Sequence, residues 1–364
     1  MHEQPCRFRI RVGQRYVWDS NFSDTRVNTK ICDFLVAQDK DLVPNFQRTG
    51  FARVLHWQTS LENTRMTPLI LINPHAAGGR ARKLKGPIQA WCEALPAQSA
   101  QPQIIAPESI ENALSLLSEL PPRSRVVVVG GDGTLNQMLP ALLHGGHEVG
   151  LVPFGSGNDC ARAWGLHRMS WQQALAHALN ATSRAIDVGR LELDKKTVHF
   201  FHSSMAVGFD ASVGHRALTG PKFLSGLPRY LLATLRELAH LKNWYLKVEV
   251  DGLLIYEGPT LLASALNTPT YGGGMPAVPH ALINDGQLNL LVGGRFNRLQ
   301  TLLMLPRLLI GKHLGHPRIQ CHAFSNATIG HANLVPVAAD GETLGFAAHI
   351  QVTCLPNALQ VVKF

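Results

Sequence analysis

No apolar run in this chain approaches the roughly 18 residues that a membrane-spanning helix needs. The richest stretch, Thr301 to Ile310, is interrupted by Pro306 and Arg307. The six cysteines, Cys6, Cys32, Cys92, Cys160, Cys321 and Cys354, contain no CxxC and no close pair. Neither a zinc site nor a disulfide framework is indicated, and a reducing cytoplasm is the simplest setting. The 17 histidines include no HExxH. There is no GxxxxGK[ST], which argues against a Walker-type ATPase, and Gly155-Ser-Gly157 lacks the third glycine of GxGxxG because Cys160 stands there, which argues against a Rossmann hydride enzyme. Internal repeats, low-complexity linkers and the charged-then-apolar pattern of a secretory signal are also missing.

At 364 residues, 45% hydrophobic, the composition is that of an ordinary globular protein with room for two domains. A formal net charge of +9 favours an anionic partner, either phosphate, nucleic acid or an anionic membrane surface. The charge is spread along the chain and no nucleic-acid module is recognisable, so nucleic acid is the least supported of the three. Residues 1–65 mix both charge signs without sustained periodicity. They read as an N-terminal extension that is poorly ordered or precedes the functional start at Met66.

From Met66 onward strands and helices alternate. Leu69 to Ile72 is a strand that runs into Asn73-Pro-His-Ala-Ala-Gly-Gly79. Ser109 to Leu120 is an amphipathic helix with Ser109 as its N-cap. Val126 to Val129 is a continuous β-branched run, as in a parallel strand covered on both faces. It ends in Gly130-Gly-Asp-Gly-Thr-Leu-Asn136, where the glycines remove every side chain from the turn except that of Asp132. The next helix, spaced by Leu135, Met138, Leu139 and Leu142, would aim its positive end at that turn, and Pro140 should kink or shorten it. A third strand, Val149 to Pro153, ends in Phe154-Gly-Ser-Gly-Asn-Asp159. One such turn could be a plain βα connection. Three delivered to one carboxyl edge of a parallel sheet mark a ligand site. Beyond about Gly189 the segments become short and β-rich (Thr197–Ser203, Trp244–Val250, Pro259–Leu266, Gln287–Val292, Ala348–Cys354), with an amphipathic helix at Tyr230–Leu241. A sandwich or barrel-like second domain is expected there.

These three turns resemble the nucleotide motifs of the diacylglycerol kinase catalytic family, which includes bacterial lipid kinases and the sphingosine and ceramide kinases. The likeness continues in order through Gly208-Phe-Asp210, Asn267 with Tyr271-Gly-Gly-Gly-Met275, Ala281 to Leu288, Gly311-Lys-His313 and Asp340-Gly-Glu342. It implies an α/β nucleotide-binding domain (residues 66–190) of the NAD kinase and phosphofructokinase type. A β-sandwich lipid-binding domain would come after it (191–364), its last strand returning to the first domain. The implied reaction is transfer of the γ-phosphoryl group of ATP, with Mg²⁺, to a lipid hydroxyl, diacylglycerol-like in the first instance. The implied nucleotide contacts are Asn73, Gly130, Gly131, Asp132, Gly133, Thr134, Leu135, Asn136, Gln137, Gly155, Ser156 and Asn158. The implied catalytic group is Glu342 as general base, Asp340 beside it, and Asp132 near the phosphates. A structural Mg²⁺ site would use the Leu282 and Gln287 carbonyls with Asp285.

Departures from the family pattern are Gln137 for a frequent glutamate, Ser156 for threonine, Ala77 for a usual glycine, and Ala106-Pro107 where a threonine often stands after the second strand. Taken alone, Asp340-Gly-Glu342 reads more readily as a surface hairpin turn than as a site. A kinase of a soluble acceptor and a non-catalytic nucleotide- or lipid-binding regulator remain alternatives. The expected partners are a lipid substrate and, peripherally, the cytoplasmic membrane surface. The oligomeric state is open, a homodimer included.

Overall fold

The computed structural model describes residues 10–12, 15–17, 67–96, 101–155, 157–221, 224 and 226–363. The chain divides into two compact units, Met1–Arg65 and Met66–Phe364. In the first unit, Ile10–Val12 (β1) and Arg15–Val17 (β2) pair as an antiparallel hairpin. The remaining expectations for the extension, and that for Met66, lie outside the described residues.

In the second unit, Leu69–Ile72 (β3), Gln103–Ile105 (β4), Arg125–Gly130 (β5) and Glu148–Pro153 (β6) form a parallel sheet in the order β6-β5-β3-β4. Helices Lys85–Glu93 (α1), Ile110–Glu119 (α2), Asp132–His144 (α3), Asp159–Ala163 (α4) and Trp171–Asn180 (α5) accompany it. Alternate strand residues point to opposite faces, and both faces are covered. Leu69, Leu71, Val126 and Val128 pack with Leu117 of α2 and Met138 of α3. Ile70, Ile72, Val127 and Val129 pack with Ile88 of α1 and Leu175 of α5. This two-sided burial is what the uninterrupted valines encode. Ser109 caps α2, its hydroxyl accepting from the Asn112 amide. Helix α3 continues through Pro140 to His144, so the proline does not end it.

The second lobe is antiparallel: Arg184–Leu193 (β7), Thr197–Phe201 (β8), Ser204–Gly208 (β9), Trp244–Val250 (β10), Leu253–Leu266 (β11), Leu288–Gly294 (β12), Ile319–Phe324 (β13), Asn326–Ala339 (β14) and Glu342–Val361 (β15). Three helices, Phe209–Leu218 (α6), Leu227–Leu238 (α7) and Arg298–Leu309 (α8), accompany it. Strands β11 and β14 each pair first with β10 and then with β9, which folds the sheet around an apolar core that includes Val248, Leu290, Phe324 and Ile350. The end of β15 leaves this lobe and lies parallel to β6, Gln360 opposite Glu148 and Val361 opposite Val149. One hydrogen-bonded sheet therefore runs through both lobes.

Several boundaries differ from the sequence reading. The helix expected at Tyr230–Leu241 begins at Leu227 with a proline in its first turn. Thr301 to Ile310 is mostly helix despite Pro306. Pro259–Leu266 and Ala348–Cys354 are parts of strands of 14 and 20 residues.

Candidate active site

The carboxyl ends of β3, β5 and β6 deliver their turns to one cleft of about 400 Å³, whose opposite wall comes from the second lobe. The turns are locked by backbone bonds: the Asn73 amide donates to Val129 O (3.1 Å) and the Phe154 amide to Gly130 O (2.7 Å). Asn73 Nδ2 donates to Thr134 Oγ1 at 2.7 Å. The glycines provide space here. A Cβ on Gly131 would lie 2.7 Å from the Gly155 Cα, and one on Gly130 would strike the Thr134 side chain. Ala77, in the position of a usual glycine, sits at φ 52°, followed by Gly78 and Gly79 at 68° and 88°. The usual glycine is explained by that left-handed backbone.

Gly131 is the N-cap of α3. The first amides of a helix have no partner within it, and with the helix dipole they form an anion site. Asn73, Gly131, Asp132, Gly133, Thr134, Gln137 and Gly155 all line the cleft.

The expected residues do not all reach it. Leu135 is fully buried in the core against Met138 and Leu139, and its amide donates to Gly131 O. It is thus a packing residue placed by its helical spacing. Asn136 turns to the second lobe, donating to Phe200 O and to Asp340 Oδ2, each at 2.9 Å. Asn158 closes its own turn, exchanging hydrogen bonds with the amide and carbonyl of Gly155. Gly130 is buried behind Thr134. Ser156 lies outside the described residues. The Asp132 carboxylate accepts from the Asp159 amide (3.0 Å) and the Cys160 amide (3.1 Å), clamping the second turn to the third at the start of α4.

Across the cleft, Asp340 is buried and heavily bonded. It accepts from the amides of His202, Ser203 and Ser204, each at 2.9 Å, as well as from Asn136. His202 Nε2 lies 3.3 Å from Asp340 Oδ2 and 3.3 Å from Asp132 O. Asp340 therefore fixes the turn that carries Glu342. The Glu342 carboxylate lies directly over the glycine turn that opens α3: its Oε1 is 2.8 Å from where a Cβ on Gly133 would stand.

Two family models match the chain: the diacylglycerol kinase catalytic domain over residues 67–191 and the YegS C-terminal NAD kinase beta sandwich-like domain over 203–363. A protein named diacylglycerol kinase from Mycobacterium tuberculosis is 30% identical over 242 residues, 65% of this chain and 76% of that one. A protein of Chromohalobacter salexigens named "probable lipid kinase YegS-like" is 32% identical over 190 residues, 50% of this chain and 58% of that one. The chain belongs to the diacylglycerol kinase family. Solved Bacillus anthracis structures, one described as "a putative diacylglycerol kinase" and one as "a diacylglycerol kinases", superpose with TM-scores of 0.64 and 0.59 at 21% and 17% identity, covering 82% of this chain and 97% of theirs. At that identity they attest the fold alone, an α/β domain followed by a β-rich one.

As a member of this family the protein is a lipid kinase, and a kinase of this type implies ATP as the phosphoryl donor. Burial and the nearby Asp340 raise the Glu342 carboxyl above the ordinary range. Burial likewise raises Asp132, opposed by His202.

The motif residues Asp159 and Asp210 fall in stretches that carried the family likeness, and the structure gives them definite work. Asp159 accepts from Thr270 Oγ1 and from the Gly273 amide, each at 2.8 Å, tying the third turn to the glycine loop at 271–275. Asp210, buried at the inner end of the cleft, accepts from Ser264 Oγ and Tyr271 Oη at 3.0 Å, and burial pushes it up to about 6. Beyond Asp210, Tyr230 and Tyr271 lies a second cavity of about 70 Å³, lined by apolar residues such as Leu262, Met275, Met304 and Leu308. His202 carried no motif signal, and only tertiary contact reveals it.

Leu282, Asp285 and Gln287 lie outside the cleft, in the turn before β12. The Gly286 amide donates to Asp187 Oδ2 there, and Asp285 Oδ1 accepts from the Gln287 amide.

Proposed function

We propose that the protein transfers the γ-phosphoryl group of ATP to the hydroxyl of a diacylglycerol-like lipid at a membrane surface, with Glu342 as general base. The observation that carries this reading is the placement of the Glu342 carboxylate over Gly133. A base on one wall faces the helix-terminal anion site on the other, and phosphoryl transfer is chiefly positioning and charge neutralisation. The acceptor hydroxyl would lie between them. Glu342 would take its proton as the oxygen attacks, and its raised proton affinity brings it closer to neutrality, where a general base is most effective. Asn136, His202 and Asp340 hold the two walls in register. The apolar cavity behind Asp210 suits part of an acyl chain, an observation that favours a lipid over a soluble acceptor.

A Mg²⁺ ion bound with the nucleotide would neutralise phosphate charge. A second, structural Mg²⁺ would be held by the Leu282 and Gln287 carbonyls and Asp285. These are three hard oxygen donors within one short exposed turn, a set that suits Mg²⁺ with water completing its shell. Localisation is read as peripheral, on the cytoplasmic membrane face, and no helix among the described residues is long and apolar enough to cross a membrane.

The test is incubation of purified protein with γ-labelled ATP, Mg²⁺ and a panel of diacylglycerol, sphingoid base, ceramide, phosphatidylglycerol and NAD. Label is expected in a lipid, diacylglycerol first. Label in NAD alone, or in nothing while nucleotide still binds, would overturn the reading.

A further inference from the structure

Helix α8 carries apolar residues on its outer as well as its inner side, which a helix on a water-facing surface usually avoids. Its inner residues, Thr301, Met304, Leu305 and Leu308, line the apolar cavity behind Asp210. Its outer side also presents an apolar ridge: Leu299, Leu302 and Leu303, at helical spacing, are 65%, 41% and 65% exposed, and Ile310, just beyond the helix, is 64% exposed. Asn297 caps this helix with a reciprocal bond to Gln300, so the face is presented on a well-formed element.

Basic residues surround the ridge. Exposed Arg295, Arg298, Arg307 and Lys312 flank it, and none is in an ion pair among the described residues. No Asp or Glu occurs between Asp285 and Asp340 in the sequence. An exposed apolar ridge rimmed by unpaired cations is complementary to an anionic bilayer, with the leucines reaching the acyl boundary and the cations the headgroups.

We infer that the outer face of α8 is the surface by which this protein docks on anionic membrane, so that the wall shared with the apolar cavity is the wall that meets the lipid. This rests on the reading of the acceptor as a membrane lipid, and goes beyond it by naming the docking element and the charge of the surface.

The test is flotation of the full chain with phosphatidylcholine vesicles and with vesicles of equal parts phosphatidylcholine and phosphatidylglycerol. The parent should float with the anionic vesicles and release as salt rises. L303E/I310E should weaken that binding more than tenfold, and R298Q/R307Q/K312Q by about fivefold for each cation removed. Both variants should melt as the parent does and still phosphorylate lipid dispersed in detergent micelles. Anionic-vesicle binding unchanged in L303E/I310E would overturn the inference and leave the kinase reading standing. So would absent vesicle binding with a dimer that L303E/I310E dissociates, which would make α8 a contact between copies. Vesicle binding lost in L303E/I310E, with no transfer to any lipid by the parent, would support the docking face while the kinase reading fails.

Discussion

Asp210 illustrates how one buried carboxylate links the cleft to stability. It sits where the polar cleft meets the apolar cavity, and burial raises it to about 6 against hydrogen bonds from Tyr271 and Ser264 that act the other way. That displacement makes stability depend on pH. Below the carboxyl's unfolded value of about 4, folded and unfolded states are both protonated, and its favourable contribution is fully present. As pH rises toward about 6, the unfolded chain ionises while the folded one resists, so that contribution is lost. Denaturant titrations should therefore show the parent losing about 3 kcal/mol relative to D210N between about pH 4 and pH 6, with the difference constant above. An unchanging difference across that window would place Asp210 in a solvated setting. The sequence flagged Asp210 within Gly208-Phe-Asp210. Its environment depends on Ser264 and Tyr271, more than fifty residues away, and no local pattern encodes that.

Among the elements, the three strand-end turns were the most legible. Val126 to Val129 and Leu69 to Ile72 announce two-sided burial, and the glycines behind them announce ligand-holding turns. Less legible was why each glycine is needed. Gly131 has a φ of −115°, suited to any residue, so its requirement is steric: its neighbour is the backbone of Gly155. A backbone cannot rotate away as a side chain can. Gly131→Ala should thus push the second turn from the third, lowering stability by about 1–3 kcal/mol and nucleotide affinity at least about tenfold. Calorimetric titration with ATP checks the second effect, and unchanged affinity would show that the turns move independently. The longest strand, β15, was hidden for a physical reason as well. Its register shifts between Leu355 and Leu359, around Pro356 and a left-handed Asn357, so no single alternation spans it. Helix α8 had no sequence expectation of its own, and it runs through Pro306 because a helix held from one side by a lobe tolerates the lost bond.

At the scale of the whole molecule, a parallel sheet and an antiparallel lobe are joined by the C-terminal strand, and the joint brings Glu342 against the glycine turn. Strand β15 starts at Glu342, over the glycine turn that opens α3, and ends beside β6, next to the strand that feeds that turn. Asn136, His202 and Asp340 fasten the walls at the cleft itself. The order of motifs named this architecture from sequence, because each motif is local. Facing of Glu342 and Gly133 across more than two hundred residues is a property of the closed fold, and sequence offered it only through family likeness. The central claim is that these two walls form one phosphoryl-transfer site with Glu342 as its base. It is tested most directly by single-turnover transfer from γ-labelled ATP with Glu342→Gln, alongside nucleotide binding by the same sample. The account predicts a rate lowered by about 10²–10⁴-fold with ATP affinity within a few-fold of the parent. Transfer at the parent rate would contradict it.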